Sequence, residues 1–145
     1  MKTIALRFSE NFAPECGTIK AHEELIIKNG FVWYGKLGNK ISANISETII
    51  NNNVSRILLI NSGKQNRYWA YISEISYEVP DIEFIPEYYR YNTDKFKTWF
   101  KVERFEEAPK DIMQNCYVTS SKAVLSEASK HSMSPYFKIE CEVNK

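Results

Sequence analysis

Only two histidines, His22 and His131, occur in the 145 residues, and three cysteines, Cys16, Cys116 and Cys141, stand far apart with no CxxC. A histidine-based triad or a metal cluster lacks the ligands it needs. The run Ala21-His22-Glu23-Glu24 is not the zinc-protease helix, because that motif needs a second histidine four positions after the first and Ile26 stands there. Neither GxxxxGK[ST] nor GxGxxG is present, which leaves nucleotide binding by those loops without support. No apolar run approaches the ~18 residues that span a bilayer. The first eight residues are too short and too interrupted for a signal peptide. Net charge is +1, so no global field draws in nucleic acid or membrane. The odd cysteine count fits buried free thiols in a reducing cytoplasm. Internal repeats, low-complexity tracts and domain linkers are missing too, so residues 1–145 are expected to form one domain. No catalytic set, no metal and no cofactor is expected.

Aromatic residues are plentiful: 14% of the chain, with three Trp, nine Tyr and eight Phe. So many rings in so short a chain should leave some at the surface or around a cavity. The stretch 67–79 alternates, with Trp69, Tyr71, Ile75, Tyr77 and Val79 on one parity, and reads as a long central strand. Just before it, Ile57-Leu58-Leu59-Ile60 is apolar on both parities, as in a strand buried on both faces. Further strands are expected near 3–8, 31–35, 95–105, 116–119 and 136–143. A first helix starts at Gly17-Thr18, with Thr18 as N-cap and Ile19, His22 and Ile26 on its apolar face. His22 is expected to be a packed structural histidine. Gly30 ends that helix by taking the left-handed conformation. Ser42 caps a second helix carrying Ile45 and Ile49. Ser120 or Ser121 caps a third, with Val124, Leu125 and Ala128 facing inward. About six strands and an early helix suggest a mixed barrel.

Trp99 lies between Lys97 and Lys101 on one strand parity, opposite Phe96, Phe100 and Val102. One reading makes it an exposed stacking surface between two phosphate-attracting cations. The other covers it with a helix while the lysine stems snorkel around it. Trp33, Tyr34 and Trp69 carry the same ambiguity, since rings converging on a barrel mouth would cage a flat, polarisable ligand. Tyr88, Tyr89 and Tyr91, with Arg90, would form a lid. Lys36, Lys64, Arg67 and Arg90 would supply a local basic rim.

The segment Thr98-Trp99-Phe100-Lys101-Val102 through Ala108-Pro109 resembles the strand-then-proline segment of YTH and EVE domains. Val118-Thr119-Ser120-Ser121, Leu125 and Phe137-Lys138-Ile139 follow in the same order. Upstream, Ser62-Gly63 before Tyr68-Trp69-Ala70-Tyr71-Ile72 looks like their serine-glycine turn and aromatic strand. The likeness spans about 57–139 in order of elements. It implies an α+β fold: a mixed, mostly antiparallel PUA-like β-barrel with about three peripheral helices. It also implies recognition of a modified base in an aromatic pocket, beside modification-dependent restriction or defence systems. Trp33, Tyr34, Asn61, Ser62, Trp69 and Trp99 are then the base-binding candidates. Lys36, Lys64, Arg67, Arg90, Lys97 and Lys101 are the candidates for the nucleic-acid backbone.

The expectation is a cytoplasmic, non-catalytic domain whose partner is DNA or RNA with a modified or flipped base. A protein partner remains open and no membrane is expected. Gly38-Asn39-Lys40-Ile41-Ser42 is similar to the GxKxxT motif of ASCH domains, one position short. That supports an alternative: a small hydrolase or RNase using Lys40 and a nearby glutamate. A second alternative is a protein-interaction accessory factor whose exposed aromatics are hot spots.

Overall fold

The computed structural model describes residues 1–8, 17–61 and 66–141. The elements are β1 (Lys2–Phe8), α1 (Thr18–Asn29), β2 (Val32–Leu37), α2 (Ala43–Ile50), β3 (Arg56–Asn61), β4 (Arg67–Ser76), β5 (Phe96–Glu107), β6 (Cys116–Val118), α3 (Leu125–His131) and β7 (Tyr136–Cys141). Short 3-10 turns at Ile82–Phe84, Glu87–Tyr89, Thr93–Lys95 and Ile112–Gln114 fill the connections. All strands join one sheet in the order β2-β5-β4-β3-β1-β7-β6. Among the described strands, β1 and β3 pair in parallel and the other neighbours are antiparallel. This is the expected α+β arrangement, a mixed and mostly antiparallel sheet with three helices. Among the described residues β2 and β6 do not pair with each other, so the sheet curls without closing its ladder.

Both faces of the sheet are covered. Ile4, Leu6, Ile57, Leu59, Ala70, Ile72, Phe100 and Val102 form the larger core, with Ile19, Leu25 and Ile26 of α1 and Ile45 and Ile49 of α2 packed into it. On the other face, Leu58, Ile60, Trp69 and Ile139 meet Ile112, Met113 and Leu125. The continuous apolar run of β3 follows from this: Ile57 and Leu59 enter one core, Leu58 and Ile60 the other.

The alternation of β4 does not persist as the sequence implies. Register shifts against β5 fall at Tyr71/Ile72 and Ile72/Glu74. Such bulges flip the side-chain parity. Ile75 therefore packs on the face of Ala70 and Ile72, not with Trp69 and Tyr71. The strand ends at Ser76, whose hydroxyl accepts from Glu78 N at 3.1 Å, and Tyr77 and Val79 remain exposed.

Caps are met in part. Ser42 caps α2 by accepting from Ile45 N at 3.3 Å, and Gly30 ends α1 at φ 88° with its N–H donating to Ile26 O. Thr18 is not an N-cap: it is the first helical residue, and Gly17 holds the cap position without a side-chain bond. Nor does Ser120 or Ser121 cap α3, because that helix begins at Leu125 after Val124. The expected free thiols of Cys116 and Cys141 are also corrected. Pairing of β6 with β7 sets the two opposite each other, Cα atoms 4.3 Å apart, and they are joined in a disulfide. Cys16 lies outside the described residues.

Candidate functional site

The curl of the sheet leaves a cavity of about 690 Å³ beside the outer edge of β2. That size falls within the roughly 300–1,000 Å³ of small-molecule sites. Tyr34, Gly35, Lys36 and Leu37 form one wall, and the end of β1, Leu6 to Phe8, with Pro135 forms the opposite one. Tyr88 and Tyr89, then Asn92, Lys95 and Phe96, close the third side. Lys36 Nζ lies 5.1 Å from the centroid of the Tyr136 ring, so β2 and β7 meet through side chains although their backbones do not pair.

The rings are held against one another. Tyr88 and Tyr89 centroids are 4.5 Å apart, Tyr89 and Phe96 4.6 Å, and Phe96 and Trp99 5.5 Å. Gly35 permits this crowding: a Cβ there would come within 2.9 Å of both Phe96 Cδ1 and Trp99 Cζ3. Behind the wall sits His22, fully buried, 4.9 Å from Tyr34 and 5.4 Å from Tyr89 between ring centroids. It is the packed structural histidine the helix pattern indicates. Its Nδ1 lies 2.7 Å from Thr18 O, which can only accept, so Nδ1 carries the proton and Nε2 is left without a partner among the described residues. Burial lowers its pKa to about 4, against the smaller upward effect of the Thr18 bond, so the ring is neutral. Burial also holds the Tyr89 phenol well above its ordinary value, so it stays protonated.

Cations border the cavity. Arg7 is committed to structure: its guanidinium donates to the carbonyls of Ser134, Ser129 and Ser132 and so ties α3 and the loop after it to β1. Lys36 is only 3% exposed and donates to Leu37 O at 3.3 Å and Asn39 O at 2.8 Å. Lys95 is exposed. No carboxylate is among the described lining residues. Lys40, the candidate of the hydrolase alternative, lies instead over the Tyr77 ring at 5.4 Å and outside the cavity.

The sequence candidates divide sharply. Tyr34 and Lys36 line the cavity, and Tyr88 and Tyr89 of the expected lid do so as well. Trp33, Trp69 and Trp99 are 8%, 2% and 0% exposed and form packed interior. The exposed reading of Trp99 is therefore corrected. Ile85, just after the first 3-10 turn, and Tyr89, at the end of the second, cover it together with Trp33. Lys101 snorkels, with Nζ 4.4 Å over the Phe31 ring. Trp69 is sealed under Ile112 and Met113, with the Arg56 guanidinium 4.0 Å above its ring. Lys36 is a buried wall residue and not part of an open rim. Asn61 and Arg67 are half-buried away from the lining, and Arg90 and Lys97 are exposed outside it. Tyr91 is 86% exposed and does not reach the lining. Ser62 and Lys64 lie outside the described residues.

Sequence reasoning missed Asn92, Lys95 and Phe96 as site residues. The clue available was their position directly after the tyrosine cluster. Among the described residues no helix is long and apolar enough to cross a membrane, and no group of three or more His, Cys, Asp and Glu converges. A family model described as Pua-like matches residues 4–139. Comparison with curated proteins and with solved structures gave no match.

Proposed function

The chain belongs to the Pua-like family, and from that premise we propose that it binds nucleic acid by seating one base, modified or flipped, in the cavity beside β2. PUA-like domains generally bind RNA or other nucleic acids. The observation that carries the reading is the ring-lined cavity itself: Tyr34, Tyr88, Tyr89 and Phe96 around an open volume, with lysines and no described carboxylate at its wall. A flat base gains roughly 1–3 kcal/mol from stacking on such rings. The stacking role passes from the tryptophans, which are core, to the tyrosines. Arg90, Lys95 and Lys97 are exposed and supply cations for flanking phosphates.

A modified base, and a setting beside a cytoplasmic restriction or defence system, rest on the EVE and YTH resemblance. A reducing cytoplasm would open the Cys116–Cys141 bond, so thiol counting on protein taken from cells checks that setting separately. The test of binding is anisotropy of short labelled single strands, methylated and unmethylated, at low salt. Saturable binding that weakens in Tyr88→Ala supports the reading. No binding by any strand, or binding untouched by Tyr88→Ala and Tyr34→Ala in folded protein, overturns it.

A further inference from the structure

Among the described residues, Lys36 is the one ammonium buried in the wall of the cavity. It is 3% exposed, and no carboxylate pairs with it among the described residues. Two of its three N–H groups go to the carbonyls of Leu37 and Asn39. The third has no acceptor among the described residues, and the Tyr136 ring 5.1 Å away offers only its π face. The two carbonyl bonds fix where the head points, so the remaining donor has a set position. A buried, incompletely bonded ammonium is costly unless something supplies an acceptor.

Taking the base-binding reading as its basis, we infer that Lys36 makes the cavity selective for rings with a carbonyl oxygen where their counterparts carry an amino group: uracil over cytosine, hypoxanthine over adenine. A ring carbonyl accepts the third N–H. With the 4-position of a pyrimidine or the 6-position of a purine turned to Lys36, an exocyclic amine sets donor against donor and leaves both unpaired. Selectivity requires that orientation, since the other edges of cytosine and adenine carry acceptors too. A site built around a hydrogen bond rejects the analogue that cannot form it far more strongly than an apolar site rejects a change of size. Of the other donor-only groups in the described lining, the Arg7 guanidinium is already bonded to the carbonyls of Ser129, Ser132 and Ser134, and the Lys95 ammonium is exposed to water, so neither holds a buried, unspent donor against a ligand. Asn92 and the tyrosine hydroxyls can each donate or accept, whereas an ammonium can only donate. The rings around the cavity favour a flat ligand over a bare anion.

The test is calorimetric titration of the full chain with uridine, cytidine, inosine and adenosine 5′-monophosphates, and with ribose 5-phosphate. Uridine and inosine monophosphates are expected to bind about tenfold or more tightly than cytidine and adenosine monophosphates. Lys36→Met is expected to abolish the gap within each pair. The wild-type comparison stands alone if that variant does not fold. Equal affinities within the pairs, or preference for the amino member, overturn the role of Lys36 and leave a base in the cavity. Ribose 5-phosphate binding as tightly as the nucleotides also overturns it, since the ammonium then serves a phosphate. Failure of all four nucleotides while the labelled strands bind overturns the role of Lys36, since a base alone then gains nothing from the cavity; failure of the strands as well fells the base-binding reading itself.

Discussion

Lys36 and Tyr136, one hundred positions apart in the chain, meet with the ammonium 5.1 Å from the ring centroid. They mark where the curling sheet brings β2 against β7 without a backbone ladder. The cavity exists because side chains, not hydrogen-bonded strands, span that seam. Replacing Tyr136 by Ala is expected to lower stability by about 1–3 kcal/mol, from a half-buried ring and a lost cation–π contact. Chemical denaturation measures the change. The bonds from Lys36 to the carbonyls of Leu37 and Asn39 remain in that variant, so the effect on binding should be smaller than that of Lys36→Met.

Gly35→Ala is expected to cost roughly 1–3 kcal/mol by overpacking. The new Cβ meets Phe96 and Trp99 at 2.9 Å, and both are rings wedged among other rings. Thermal denaturation tests it. Wild-type stability in Gly35→Ala would mean that the Phe96–Trp99 packing is loose.

Trp99→Ala should destabilise by roughly 3–5 kcal/mol, as a large buried ring does when removed. Tyr88→Ala, at a half-buried ring on the cavity, should cost less stability and more binding. The pairing of these effects separates core from site. It also shows what was legible in the sequence. The double-sided burial of Ile57 to Ile60, the central place of β4 and the apolar stripe of α1 follow from local patterning. The environment of Trp99 does not. Strand parity correctly turned it away from Phe100 and Val102 but not from Phe96, whose ring lies 5.5 Å from it beside the register shift at Lys36/Leu37. The rest of the cover comes from Ile85 and Tyr89, in a connection with no periodicity to read. The cavity was half legible. The tyrosine run 88–91 announced a ring cluster, yet its meeting with Phe8 and Pro135 depends on long-range curl. The Cys116–Cys141 bond was hidden for the same reason: only strand register brings the two together.

Stability should fall on acidification because of His22. Its folded pKa, about 4, lies below the unfolded value of 6.5. The unfolded chain therefore takes up the proton first. The contribution is full above pH 6.5 and is lost progressively as pH falls toward 4, amounting to at most about 3 kcal/mol. His22→Phe should flatten that acid limb relative to wild type in denaturation from pH 7 to pH 4. An unchanged slope would place the sensitivity elsewhere.

Reduction of the Cys116–Cys141 bond should lower stability. The 25-residue separation corresponds to roughly 3.5 kcal/mol in the chain-entropy account. Melting with and without a dithiol reductant reads this directly. Cys116→Ser/Cys141→Ser should match the reduced protein and show no further response to the dithiol.

The most direct measurement is amide-shift mapping of the labelled protein titrated with a short single strand. The account predicts that the largest shifts cluster at Tyr34 to Leu37 and at Tyr88 to Phe96. Shifts confined instead to the far face around Arg56, Tyr71 and Arg104, with the β2 wall unmoved, would contradict it.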